Sequence, residues 1–181
     1  MAPDPEKARG QLEQPCAIQP VGSVIMFRAL QIAAEEVGVT EQPPGSNGGP
    51  RVNEYLVGVD GRGDWLLDLD PEERPWCCRF VVWCVMAAVL ELGLLDPFRN
   101  AGRGGGLASG AKLLRWARAY GALRQGPAPG RIGVLPRGRG HHVVWCWAIV
   151  GDVVWCLEGN SDNRVQFVPR HASAFSAWIE I

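Results

Sequence analysis

The sequence predicts an α+β domain in which helices come first along the chain and an antiparallel sheet follows. Apolar residues recur at helical spacing in segments before Gly121, whereas short apolar runs separated by turn residues follow Pro127. With 181 residues, 47% of them hydrophobic, the chain is long enough to bury a substantial core. We therefore expect one domain over residues 22–181, preceded by a flexible, proline-containing leader over residues 1–21.

Three main helices are predicted from apolar spacing and from residues that cap or stop helices. They are Ser23–Val37, Trp76–Glu91 and Gly110–Tyr120. The second is apolar over most of its surface, which is typical of a helix buried at the centre of a domain. We expect loops between the three, apart from a short helix near Val52–Val57.

The strands are predicted from apolar runs that follow Pro127. Val143–Val150 is almost wholly apolar, which favours a central strand covered on both faces. Gly151 and Asp152 form a two-residue hairpin signal, so Val153–Leu157 is the expected partner strand. Further short strands are expected at Ile132–Leu135, Val165–Val168 and Trp178–Ile181.

Composition narrows the classes of partner and the compartment. The formal net charge of -1 gives no overall attraction to nucleic acid or to an anionic membrane. The six cysteines form no C-x-x-C pair, and their apolar neighbours favour reduced, buried thiols over a zinc site or a disulfide framework. The first residues lack the apolar core of a signal peptide, and no apolar run is long enough to span a bilayer. We expect cytoplasmic synthesis, no membrane insertion, no nucleic-acid partner and a monomer.

Two adjacent cysteines, Cys77 and Cys78, lie at the start of the predicted central helix. A thiol at a helix N-terminus is close to free backbone N–H groups and to the positive end of the helix dipole. This environment lowers the pKa of a cysteine and makes its thiolate available as a nucleophile. Helical periodicity alone allows either cysteine to take that role, and an inert buried thiol is the more common alternative.

A catalytic thiol needs a base, and the chain has three histidines. His141 and His142 stand where a glycine-rich turn enters the predicted central strand, whereas His171 lies in a late segment without an obvious partner. The hairpin places His142 or its neighbour level with residues 160–161 of the returning strand. Glu158 and Asn160 therefore meet the histidine at one end of the sheet, where they are suited to orient an imidazole.

The order of these motifs resembles the CHAP family of cysteine amidohydrolases and endopeptidases, within the papain-like NlpC/P60 superfamily. The family signature P-W-C-(small)-x-F-V-x-W stands as Pro75–Trp83. Further matching segments are A-x-x-E-x-G-V-x-E at Ala33–Glu41, G-S-N-x-G at Gly45–Gly49, P-G-x-I-x-V at Pro129–Val134, G-H-V at Gly140 with His142 and Val143, and E-G-N at Glu158–Asn160. Together they extend over nearly the whole domain, from about Val21 to the C-terminus.

The resemblance implies a papain-like fold and hydrolysis of an amide bond in peptidoglycan. It implies Cys77 as the nucleophile, His142 as general base and acid, and Glu158 as the residue that orients the imidazole. Asn160 becomes a supporting polar group, and the backbone N–H groups at the start of the Cys77 helix become the oxyanion donors. Trp76, Trp116 and Asn47 are the expected substrate-contacting residues, with core packing as the alternative for both tryptophans.

No cofactor is required by this chemistry. Because some CHAP domains bind Ca²⁺ through acidic residues upstream of the cysteine, a calcium ion near Asp68 and Asp70 is an alternative to a solvated acidic loop. Two other functions also remain open. One is an intracellular papain-like amidase acting on a small peptide or γ-glutamyl substrate, and the other is a catalytically silent module that docks on a cell wall or serves as a phage structural part.

Overall fold

The computed structural model describes residues 21–101 and 107–181. Within them the protein is a mixed α+β domain with four α-helices and one six-stranded antiparallel sheet, as the order of sequence patterns predicts. The helices are α1 (Val21–Glu35), α2 (Pro50–Val57), α3 (Cys77–Glu91) and α4 (Gly110–Ala119). The strands are β1 (Leu123–Arg124), β2 (Ile132–Arg137), β3 (Gly140–Val150), β4 (Val153–Ser161), β5 (Arg164–His171) and β6 (Ala177–Ile179). The predicted leader, apart from its last residue Val21, and Cys16 within it lie outside the described residues.

The helices are close to the predicted segments but differ at their ends. The helix α1 begins two residues before its predicted cap, Ser23, and ends at Glu35. Trp76 is the N-cap residue of α3 rather than its first helical residue. The segment after Gly58, predicted as a loop, contains two short 3₁₀ helices at Asp64–Asp68 and Pro71–Glu73. Short turns of this kind have too few residues to show a period in the sequence.

The sheet has the strand order β1-β6-β2-β3-β4-β5. The hairpin that joins β3 to β4 turns at Gly151 and Asp152, which confirms the predicted turn. Both strands are longer than predicted, because β3 begins at Gly140 and β4 continues to Ser161. The strand β1 has only two residues and was not predicted from the sequence.

The central helix α3 packs against α1, α2, β3 and β4. Its side chains are buried over most of the helix surface, which confirms the prediction of a central, buried helix. A second apolar cluster involves the even-numbered residues of β3 and β4. It consists of Leu135, Val144, Cys146, Val154, Cys156 and Trp178. The five cysteines among the described residues are unpaired and buried, as expected of reduced thiols.

The strands β3 and β4 separate at the end of the sheet that is nearest the start of α3. Their pairing runs from Val150↔Val153 to Trp145↔Leu157, with a bulge between Cys146 and Ala148. Beyond that point β3 pairs with β2, and β4 pairs with β5. The start of α3 lies against β4 there, because a Cβ atom added to Gly159 would lie 2.7 Å from the ring of Phe80 and 2.8 Å from that of Trp76. Only glycine allows this close approach.

In the two described ranges, none of the helices has the length and apolar character needed to cross a bilayer.

Candidate active site

Cys77 is the first residue of α3, and its side chain is buried with 6% of its surface exposed. The first hydrogen bond of the helix runs from the Phe80 N–H to the Trp76 carbonyl. The backbone N–H groups of Cys77 and Cys78 therefore lie before the first helical bond, at the positive end of the helix dipole. This is the environment that the sequence predicts for a nucleophilic thiol.

His142 lies between the Cys77 thiol and the carboxylate of Glu158. Its Nε2 is 2.9 Å from Oε2 of Glu158, and its side chain also hydrogen bonds the Cys77 thiol. Both His142 and Glu158 are buried. Since Nε2 faces Glu158, the other ring nitrogen, Nδ1, is the one available to Cys77. The structure therefore brings together three of the four predicted catalytic residues in the order thiol, imidazole, carboxylate.

Glu158 also accepts two hydrogen bonds from Arg170, a residue that the sequence analysis did not identify. Arg170 Nε lies 2.8 Å from Oε1, and Arg170 Nη2 lies 2.8 Å from Oε2. Burial of the carboxylate acts to raise its pKa, but the bonds and charges of Arg170 and His142 outweigh burial and lower the pKa of Glu158 to about 2. The carboxylate is therefore ionised at neutral pH, so His142 Nε2–H donates and Glu158 accepts.

The thiol and the imidazole change each other's protonation. Burial acts to raise the pKa of Cys77, but the His142 hydrogen bond and charge, together with backbone N–H groups of Val143 and Cys78, lower it overall. Burial acts to lower the pKa of His142, yet its bonds to Cys77 and Glu158 raise that pKa to about 9. These opposite shifts favour a thiolate–imidazolium pair at neutral pH, which is the reactive form of a cysteine nucleophile.

The neighbouring residues Cys78 and His141 lie in different surroundings. The Cys78 thiol is buried and donates a hydrogen bond to the Leu107 carbonyl at 3.2 Å. Burial raises the pKa of Cys78, which keeps that thiol protonated. The Cβ of His141 packs against Gly110 at the start of α4. Cys77 is therefore the thiol that contacts an imidazole, and His142 is the histidine that contacts both this thiol and the carboxylate of Glu158. This is the pair that the family resemblance implies.

Asn160 and Asn47 are hydrogen bonded to each other, with Asn160 Nδ2 donating to Asn47 Oδ1 at 3.0 Å. Asn47 Nδ2 in turn donates to the Pro71 carbonyl, and its backbone N–H donates to Glu41 Oε2. Both asparagines have positive φ angles, 46° for Asn47 and 57° for Asn160, a conformation that asparagine tolerates better than most residues. Asn160 thus ties the end of β4 to the loop before α2.

Trp76 is completely buried, and its indole Nε1 donates to Glu41 Oε1 at 2.8 Å. Its ring stacks on Tyr55 and contacts Phe80 edge to face. These contacts favour core packing, the alternative to the substrate contact expected for this residue. Glu41 therefore connects Trp76, the cap of α3, to the loop that carries Asn47. The sequence analysis did not single out Glu41, although it lies in one of the family-like segments.

Trp116 on α4 is also buried, and it packs edge to face against Phe98 and is stacked on Tyr120. These contacts likewise favour packing, and its contact with substrate stays a prediction.

Asp68 and Asp70 lie exposed at the ends of two adjacent 3₁₀ turns. A calcium ion needs six to eight oxygen ligands that converge on one point. Across residues 21–101 and 107–181, the structure places no group of three or more His, Cys, Asp or Glu side chains where they could hold a metal ion. Calcium binding near Asp68 and Asp70 stays a prediction.

No protein-family model matches this chain, and comparisons with curated proteins and with solved structures find no significant match.

Proposed function

We propose that this protein is a cysteine amidohydrolase with a papain-like, CHAP-type fold that cleaves an amide bond in peptidoglycan. The observation that carries the proposal is the contact series from Cys77 to His142 to Glu158 at the start of a buried helix. Acyl transfer by a thiol requires these three roles: a nucleophile, a base that shares its proton, and a group that orients the base.

The first half of the reaction forms a thioester. The Cys77 thiolate attacks the carbonyl carbon of the scissile amide, and the carbonyl oxygen becomes an oxyanion. The backbone N–H groups of Cys77 and Cys78 are the donors available to that oxyanion, because the helix itself does not use them. The intermediate then collapses, the C–N bond breaks, and the imidazolium of His142 gives its proton to the leaving amine.

The second half restores the thiol. Neutral His142 takes a proton from a water molecule as that water attacks the thioester carbonyl. The C–S bond breaks, the carboxylic acid product leaves, and Cys77 and His142 again share one proton. Throughout both halves, the ionised Glu158 holds the Nε2–H of His142, which keeps the other nitrogen directed at the thiol.

The substrate class is supported by the sequence rather than by the chemistry of the site. The P-W-C-C-R-F-V-V-W segment and the E-G-N segment are similar to those of wall-cleaving CHAP domains. Two bonds are compatible with the mechanism, the amide between muramic acid and L-alanine and a peptide bond within the stem or cross-bridge. Both present an acyl group to the thiol and release an amine.

The test is digestion of purified peptidoglycan by the wild-type protein and by Cys77→Ala. We expect Cys77→Ala to be folded and to release no fragments. Cys84→Ala is the matched control, since it removes another buried cysteine of the same helix, and it should retain activity. Mass spectrometry of the fragments would show a free muramoyl carboxyl group for an amidase and a new peptide terminus for an endopeptidase. Undiminished digestion by Cys77→Ala would overturn the mechanism.

A further inference from the structure

The carboxylate of Glu158 has no exposed surface, and Arg170 is the partner that carries a permanent charge. The two hydrogen bonds from Arg170 form a fork, with one donor to each carboxylate oxygen. Oε2 also receives the Nε2–H of His142, so it accepts two bonds. The carboxylate cannot rotate about its Cγ–Cδ bond without breaking at least one of these contacts.

We propose that Arg170 is a positioning residue for the reaction: through its two bonds to Glu158 it keeps the carboxylate ionised and aligned, so that His142 keeps the tautomer that serves Cys77. The inference rests on the proposed function for its catalytic meaning. Arg170 has no other part in the proposed mechanism.

The need for a second cation follows from the reaction itself. While His142 is an imidazolium, it balances the charge of Glu158. After His142 has given its proton to the leaving amine, the buried carboxylate would be left without a compensating charge. An uncompensated buried charge is costly, and a carboxyl group in that position takes up a proton instead. Arg170 is charged at every step, and it therefore holds Glu158 ionised while His142 alternates between its two forms.

The position of Arg170 in the sheet supports a direct role. It pairs with Val154 of β4 across the β4–β5 ladder, four residues before Glu158. Its side chain is 35% exposed, so it extends from the solvent to the fully buried carboxylate of Glu158. The ionisable groups that influence Glu158 or Arg170 are His142, Cys156 and Asp162. Burial raises the pKa of Cys156, which leaves that thiol neutral.

The test measures the pH dependence of Cys77 alkylation by iodoacetamide, with the labelled residue located by mass spectrometry. In Arg170→Met, Glu158 loses its permanent counter-charge, so its pKa and that of Cys77 should rise. We expect the acid limb of the profile to move upward by about one pH unit, which lowers the rate about tenfold at any pH on that limb. Arg170→Lys keeps the charge but loses the fork of two hydrogen bonds, so its alkylation profile should lie between those of the wild type and Arg170→Met.

Arg28→Gln is the matched control. Arg28 also donates its Nε to a glutamate, Glu91, at 2.7 Å, and its side chain is 30% exposed. This pair joins α1 to α3 and does not contact Glu158 or His142. We expect Arg28→Gln to lower the unfolding temperature and to leave the alkylation profile unchanged.

A merely structural Arg170 would lower the unfolding temperature without moving the profile, and that result in either Arg170 variant would overturn the inference. Arg170→Lys keeps the test decisive if Arg170→Met does not fold. A wild-type Cys77 that reacts only at the pH of an ordinary thiol would instead overturn the proposed function. The two failures are therefore separate results of one experiment.

Discussion

His142 Nε2 lies 2.9 Å from Glu158 Oε2, although sixteen residues separate the two along the chain. The hairpin at Gly151 and Asp152 returns β4 beside β3 and so brings the two residues to one end of the sheet. Both strands continue past the last pair, Trp145↔Leu157, and separate there. The acid–base pair therefore lies at the point where the strands part and the helix of Cys77 begins.

Replacing Glu158 with Gln should reduce the nucleophilicity of Cys77. A neutral amide has one acceptor oxygen where the carboxylate has two, and it does not favour the imidazolium form of His142. We expect the acid limb of the Cys77 alkylation profile to move to higher pH, and each pKa unit of that movement slows alkylation about tenfold on the limb. The control is Glu180→Gln, because it also removes the charge of a glutamate that accepts a hydrogen bond from an arginine. Arg131 Nε lies 2.8 Å from Glu180 Oε2. Equal rates in wild type and Glu158→Gln would contradict the role of the carboxylate.

The same substitution makes a prediction for acid stability. The pKa of Glu158 is lowered to about 2 in the folded protein, from an ordinary value of 4.5. A carboxyl group with a lowered pKa stabilises the fold above its ordinary pKa, and this contribution is lost as the pH falls toward the folded value. The linkage is worth on the order of 3 kcal/mol. Urea unfolding should therefore show that the stability difference between wild type and Glu158→Gln narrows between pH 5 and pH 3. A difference that stays constant would contradict the ionised state.

The rates of peptidoglycan hydrolysis and of Cys77 alkylation should depend differently on pH above pH 9. The pKa of His142 is raised to about 9, so the imidazolium loses its proton as the pH passes that value. Expulsion of an amine needs that proton, whereas attack of the thiolate on iodoacetamide does not. We expect the rate of peptidoglycan hydrolysis to fall above pH 9 while the alkylation rate stays high. A parallel fall in both rates would point to unfolding rather than to loss of the acid.

The order of helices and strands, and the meeting of a histidine at the start of β3 with the Glu158–Asn160 segment, could be predicted from the sequence because they depend on local patterns. Apolar spacing marks α3, and the Gly151-Asp152 turn determines which ends of β3 and β4 come together. The choice of Cys77 over Cys78 was available only through the family resemblance. Both cysteines are buried, and they differ in which groups surround them rather than in any sequence period.

Arg170 escaped prediction for a physical reason. The sequence analysis predicted a short strand that ends at Val168, the residue before Pro169, and proline cannot donate to a strand ladder. The strand β5 lies at the edge of the sheet, where only one neighbour needs hydrogen bonds, and it continues through Pro169 to His171. Trp76 was predicted to contact substrate, with core packing as the alternative, and its buried indole, which donates to Glu41, favours packing. Such contacts between distant segments have no local sequence signal.

Removing the Glu41 carboxylate should destabilise the protein. Glu41 is 1% exposed and accepts hydrogen bonds from Trp76 Nε1 and from the Asn47 backbone N–H. Each buried donor left without an acceptor costs about 1–3 kcal/mol. We expect Glu41→Ala to lower the free energy of unfolding by about 2 kcal/mol or more, measured in urea. Glu41→Gln keeps one acceptor oxygen and should lose less; equal losses would show that the hydrogen bonds matter less than side-chain packing.

A methyl group at Gly159 should displace the catalytic helix. Its Cβ would lie 2.7 Å from the Phe80 ring and 2.8 Å from the Trp76 ring, so the start of α3 or the end of β4 must move. Overpacking of this kind costs about 1–3 kcal/mol, and here the moved elements carry Cys77 and Glu158. Gly133→Ala in β2 is the matched control, because its added Cβ would be equally crowded. That atom would lie 2.6 Å from the Phe175 ring and 2.8 Å from the Trp178 ring. We expect both variants to lose stability, but only Gly159→Ala to slow alkylation of Cys77 at pH 7. Equal slowing in both variants would show that a general loss of stability, and not displacement of the catalytic helix, causes the effect.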